Sequence, residues 1–156
     1  MVQAGGTEHG FHVPYKVAHV PGKGWGLVLQ AQVKKGQVVW TFQAEGETHV
    51  IHTEESVRSK LETLAHLAQR RFFLNHIFGW EDKMIELVGD CKFMNHSSKP
   101  VIRVEDDGRT WVAVRDLAAG EEIVDDYGTF YSPQWYIDLC NENDVESAQE
   151  VADRYY

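Results

Sequence analysis

What most constrains this chain is the shortness of its extended apolar runs, each stopped by glycine or proline within a few residues. Tyr15-Lys16-Val17-Ala18-His19-Val20 alternates apolar and polar residues, and Pro21-Gly22-Lys23-Gly24 then turns the chain into a second extended run over 25–29. Alternation with period two is the signature of a half-buried strand, and proline with glycine marks the turn between strands. The pattern continues at 37–42, 72–78, 83–88, 101–104 and 111–114, with Gly79-Trp80-Glu81-Asp82 and Asp106-Asp107-Gly108 as turns. An internal echo accompanies it: Val33, Gly36 and Val39 share their spacing with Leu117, Gly120 and Ile123. In both places an apolar anchor precedes a glycine turn that launches a strand.

One long segment has a different period. Thr53 is an N-cap, Glu54 and Glu55 fill a first turn where the helix dipole favours carboxylates, and Arg70 and Arg71 sit at the far end. Val57, Leu61, Leu64, Ala65, Ala68 and Phe72 form one apolar stripe between them, which predicts a helix over about 54–71. Ser132 as N-cap and Pro133 at the first helical position predict a short helix over 134–141. Residues 1–12 read as a glycine-rich, flexible N-terminus, and 142–156 as an acidic, solvated or frayed tail. The expectation is therefore a mainly β domain over 13–141 with one inserted helix and a short C-terminal helix.

A chain of 156 residues is one domain by length, and its formal net charge of -9 limits its partners. Nucleic-acid phosphates and anionic membranes demand a surplus of Lys and Arg, so neither is expected to bind directly. An acidic surface fits a basic protein, through steering of opposite charges, and it also serves plain solubility. Cys91 and Cys140 are the only cysteines, too few for a structural zinc site or a disulfide framework. No apolar run reaches membrane-spanning length, and the first residues lack a signal peptide's basic and hydrophobic regions. The expected setting is soluble and intracellular, nucleus or cytoplasm.

Three motifs carry chemistry. Gly22-Lys23-Gly24-Trp25-Gly26 exposes peptide groups to a close ligand, or is simply a tight turn. Asn95-His96-Ser97 offers an amide with both a donor and an acceptor, suited to a ligand end bearing ammonium and carboxylate, or is a polar turn. Gly120-Glu121-Glu122 followed by Asp125-Asp126-Tyr127-Gly128 brings a tyrosine that is either buried with its hydroxyl satisfied or catalytic. Glu121 and Glu122 are adjacent, so they point to opposite sides and more readily shape a turn and an acidic rim than a catalytic pair. His49 and His52 supply at most two metal ligands, and no third is evident, so no metal is expected.

In this order the three motifs resemble the signature of SET-domain protein-lysine methyltransferases, and the resemblance runs from about Tyr15 to Tyr136. It implies a fold of several small sheets with a C-terminal pseudoknot, S-adenosylmethionine as cofactor, and a lysine of a basic protein such as a histone tail as substrate. It assigns Lys23, Gly24, Trp25, Asn95 and His96 to the cofactor, Tyr127 to catalysis, and Asp125, Thr129 and Tyr131 to the substrate channel. Pro133-Gln134-Trp135-Tyr136 is similar to the segment of a histone-methylating branch whose tryptophan stacks on adenine, which adds Trp135 to the cofactor residues. Two features depart from the family. Ser98 and the lone downstream Cys140 replace the cysteines of its post-SET zinc module, so helix 134–141, a second subunit of a homodimer or the substrate must wall the channel. Asp125 stands where many members carry Phe or Tyr, and by strand alternation it shares a side with Tyr127, leaving the number of methyl groups added undetermined. The competing reading is a SET-fold module that binds a basic peptide without transferring methyl groups.

Overall fold

The computed structural model describes residues 8–154. In chain order its elements are β1 (Tyr15–Val20), β2 (Gly24–Leu29), β3 (Val38–Thr41), β4 (His49–His52), α1 (Glu54–Thr63), α2 (Leu67–Asn75), β5 (Ile77–Trp80), β6 (Lys83–Leu87), β7 (Asn95–His96), β8 (Ile102–Val104), β9 (Thr110–Ala113), β10 (Val124–Asp125), α3 (Gln134–Glu142) and α4 (Ala148–Arg154). They form two units. The first comprises the described residues up to His49 together with Val88–Asp126; the second comprises Val50–Leu87 and the described residues from Tyr127 on. Small sheets with helices between and after them are the architecture the punctuated strand pattern predicts.

The first unit is all β apart from single turns. β1 pairs antiparallel with β2, β9 lies between β3 and β8, and β7 runs parallel to β10. The sequence echo is its organising device, because the two copies bond to each other. Val33 and Leu117 exchange both backbone hydrogen bonds, at 3.0 and 2.8 Å. The Gly36 N–H donates to the Ala113 carbonyl and the Gly120 N–H to the Leu29 carbonyl, each at 2.8 Å. Even the side chains repeat, with Gln37 accepting from the Lys34 amide and Glu121 from the Ala118 amide. Both glycines hold positive φ, 81° and 93°, which a Cβ would strain. Leu29, Val33, Val39, Leu117 and Ile123 are consequently buried, the apolar anchors of both copies sharing one core. Residues 8–12 are not loose: Phe11 is buried and bridges to Trp40, while the part of the expected flexible terminus before residue 8 lies outside the described residues.

The second unit holds the remainder of β4 and its sheet, in the order β4-β6-β5, with the four α-helices of the described residues. Thr53 caps α1 in a reciprocal box with Ser56. The single inserted helix expected over 54–71 is instead two, broken at 64–66, where Leu64 and His66 are extended. Packing decides this. The break turns Phe73 and Leu74 into a core with Val57, Leu61, Ile77, Met84, Tyr136, Leu139 and Cys140, and leaves Phe72 of the predicted stripe 51% exposed. The Arg70 guanidinium satisfies the Leu64 carbonyl at the break. α2 then runs to Asn75, so the strand predicted over 72–78 is confined to its end, in β5.

Near the C-terminus α3 starts at Gln134, where the sequence predicts it, and runs one residue further, to Glu142, with Pro133 rather than Ser132 as its N-cap. The tail is not solvated throughout: Ser147 and Glu150 form a reciprocal cap for α4, Ala152 is buried, and Val145 packs on the helical core. Ser147-Ala148-Gln149-Glu150 is the sequence signature of that cap, hidden among the surrounding charges. The last two residues of the expected tail lie outside the described residues.

Candidate functional site

In the first unit the glycine turn and the Asn-His strand meet through side chains. The Lys23 amide donates to the Val20 carbonyl and closes the β1–β2 turn, leaving the Trp25 ring 59% exposed and edge-on to His19. Asn95, held in register opposite Val124, sends its amide nitrogen to two acceptors: the Trp25 carbonyl at 3.0 Å and Glu122 Oε1 at 2.8 Å. The other oxygen of Glu122 accepts from Lys23 Nζ at 3.0 Å. Gly26 makes this meeting sterically allowed, since a Cβ there would lie 2.7 Å from Glu122 Oε1 and 2.9 Å from the Asn95 amide nitrogen. Both Asn95 donors are thus engaged, and among the described residues nothing donates to its Oδ1. The structure brings Lys23, Trp25 and Asn95 together and adds Glu122, with Gly24 between the first two as the start of β2. The two glutamates do point apart, Glu121 pairing with Arg115 and the Ala118 amide.

His96 and Asp125 face each other across the β7–β10 ladder, and both are buried. The His96 side chain is buried, and burial lowers its pKa, opposed by Asp126 and reinforced by Lys23. Its imidazole is therefore neutral near pH 7. Asp125 is buried too; its Oδ2 accepts from the Trp111 indole N–H at 3.1 Å and its Oδ1 from the Asp126 amide at 2.8 Å. Burial pushes its carboxyl up to about 7, against the pull of those two hydrogen bonds and with a further push from Asp126. Strand alternation does not carry from Asp125 to Tyr127, because β10 ends at Asp125 and Tyr127 opens a single 3-10 turn, Tyr127–Thr129.

The second unit presents an aromatic ladder. The Phe130 amide donates to the Tyr127 carbonyl, which folds the Phe130 ring back onto Tyr127 with centroids 5.3 Å apart and planes 27° from parallel. Phe130 stacks in turn on Phe78 of β5 at 4.4 Å, and Trp80 meets it edge-on at 6.3 Å. The Tyr131 amide donates to the Gly79 carbonyl, fixing this segment beside β5 while the Tyr131 ring stays 52% exposed. Thr129 is exposed at the end of the turn. Trp135, in the first turn of α3, is half-buried against the helical core. Phe78 and Phe130 were not legible as site residues, because nothing in a strand phenylalanine distinguishes a ladder rung from core.

These groups fit the chemistry expected of them. An asparagine whose donors are satisfied within the protein offers an acceptor, as an ammonium requires, and Lys23 offers a cation, as a carboxylate requires. Together they suit a ligand end that carries both an ammonium and a carboxylate. A stack of aromatic faces carrying one phenolic hydroxyl suits an amine that must shed its hydration and yet be oriented. Among the described residues no three His, Cys, Asp or Glu side chains converge as metal ligands. His49 bonds Thr48 in the first unit, and His52 bonds Ser56 and Glu86 in the second. No helix among the described residues is long and apolar enough to cross a membrane.

The comparisons with known proteins agree on the fold. The family model for the SET domain matches residues 24–128. No curated protein sequence matches. Among solved structures, the chain is similar to the Neurospora SET domain protein DIM-5, a histone lysine methyltransferase, at 21% identity and a TM-score of 0.53, covering 81% of this chain and 56% of that one. The methyltransferase domain of the human histone-lysine N-methyltransferase SETMAR gives 18% identity and a TM-score of 0.53, with 76% and 46% covered. KRYPTONITE, solved in complex with mCHG DNA and SAH, gives 18% and 0.50, with 78% and 24% covered. The chain thus spans about half or less of each of these proteins.

Proposed function

Since the chain belongs to the SET-domain family, we propose that it is a protein-lysine N-methyltransferase that uses S-adenosylmethionine and acts on a basic protein such as a histone tail. The observation that carries this reading is the Tyr127–Phe130–Phe78 ladder, aromatic surface ending in one phenol. When bound, S-adenosylmethionine supplies a methyl group on a sulfonium, electrophilic enough for direct displacement by an amine. A lysine amine is protonated in water and must arrive neutral. Aromatic faces strip its water and so lower its pKa. The Tyr127 hydroxyl then orients the nitrogen lone pair, a role of position rather than of proton transfer. Thr129 and Tyr131 follow on the same segment and are assigned to the lysine's stem.

Asn95 Oδ1, the backbone of Lys23, Gly24 and Trp25, and the backbone of His96 are assigned to the methyl donor, with Trp135 on its adenine. The net charge of -9 favours a basic partner, and the histone-lysine activity named for the similar structures is consistent with that choice. The competing binding-module reading drew its support from Asp125. That carboxyl has a structural explanation in its bonds to Trp111 and Asp126, so it does not speak against transfer.

The test is transfer of labelled methyl from S-adenosylmethionine to core histones by wild type and Tyr127→Phe in parallel. The expected result is transfer by wild type and a loss of at least about a hundredfold in the variant, within the range for removal of a transition-state hydrogen bond. Binding of S-adenosylmethionine without transfer to histones or to other basic proteins would favour the binding module. Failure to bind it at all would refute the assignment.

A further inference from the structure

Beyond the residues assigned above, the first unit contains a charged side chain with no role yet in the proposed reaction. Glu122 sits between Asn95 and Lys23, its two oxygens divided between them. Its side chain is only 16% exposed, so its pairing with Lys23 is less screened than that of a surface pair. Gly26 has no side chain where one would push Glu122 and Asn95 apart. Three neighbouring positions thus fit one arrangement.

We infer that Glu122 is a positioning residue that makes this site selective for a ligand end carrying both an ammonium and a carboxylate. An unrestrained asparagine amide can turn either its N–H₂ or its carbonyl oxygen to a ligand, and so distinguishes poorly between acceptors and donors. Here Glu122 and the Trp25 carbonyl each take an N–H, which fixes the oxygen as the outward group. The carboxylate also places a negative charge beside the seat for the ammonium. Lys23, held by Glu122, is the cation available to the ligand's carboxylate. A zwitterion is therefore complementary to the cluster as a whole, whereas a thioether without an amino-acid end gains nothing from it.

This inference rests on the methyltransferase reading, and its test separates the two. S-adenosylhomocysteine and 5′-methylthioadenosine are both adenosyl thioethers without a sulfonium charge, and only the first bears the zwitterionic amino-acid end. Calorimetry on wild type, Glu122→Gln and Lys23→Met measures both affinities. Glu122→Gln is expected to weaken S-adenosylhomocysteine by about tenfold or more, the size of one lost charge-assisted hydrogen bond, and to leave methylthioadenosine within about twofold. Lys23→Met approaches the same cluster from its exposed side and is expected to show the same selective loss. Equal weakening of both ligands would make Glu122 a merely structural residue and overturn the inference, as would unchanged affinity for S-adenosylhomocysteine in both variants. Wild type that binds neither ligand would overturn the methyltransferase reading, and this one with it.

Discussion

Asp125 shows how one carboxyl can be structural and still leave a mark on solution behaviour. Its acidity is set first by burial, which disfavours the anion, and the indole N–H of Trp111 only partly compensates. An acid with a folded pKa near 7 and an ordinary value near 3.8 keeps its proton in the folded chain while the unfolded chain has released it. The folded state then binds more protons than the unfolded state, so stability falls as pH rises between those values and levels off above about 7. Asp125→Asn removes the titration and keeps an oxygen for Trp111. Denaturation from pH 4 to 8 is expected to show the variant gaining on wild type across that window, by a few kcal/mol at most, with a constant difference above it. A difference that does not change with pH would contradict the assignment. At this scale motif order singled out Asn95, Tyr127 and the glycine turn as candidates. It could not name Glu122, because adjacency to Glu121 says that two side chains diverge but not what each one meets.

At the scale of elements, local signals were reliable where the signal and the tertiary requirement coincided. β1 and β2 fall where alternation and the Pro-Gly turn put them, and Thr53 caps α1 as its side chain allows. The echo of Val33-Gly36 in Leu117-Gly120 marked a repeated device, though spacing alone could not reveal that the two copies pair with each other. The continuous helix and the strand over 72–78 failed for one reason: the second unit needs Phe73 and Leu74 inside, and a break at 64–66 supplies the rotation. α3 locks this arrangement. The buried Tyr136 hydroxyl donates to the Leu74 carbonyl at 2.8 Å and lies 3.2 Å from the Ile77 carbonyl, at the end of α2 and the start of β5. Tyr136→Phe keeps the ring and leaves those carbonyls without that donor. It is expected to cost about 1–3 kcal/mol in chemical denaturation, and a loss below about 0.5 would show that other donors satisfy the carbonyls.

At the scale of the molecule, net charge governs encounter more than fold. A chain of -9 attracts a basic peptide through a field that salt screens within about 8 Å at physiological ionic strength. The KM for a basic peptide is therefore expected to rise several-fold between about 50 and 300 mM salt, with kcat changing much less, in initial-rate measurements. A KM insensitive to salt would mean that recognition rests on contacts rather than on the field. The sequence by itself determined the class of fold, the order of the motifs and the sign of the charge, since each follows from residue type and spacing along the chain. Only the tertiary structure decided that the echo closes on itself, that Asp125 faces Trp111, that Glu122 holds Asn95, and that Phe130 and Phe78 continue the ring of Tyr127. Each of those pairings joins residues that share no local pattern, and their partners are chosen by which surfaces must be buried together.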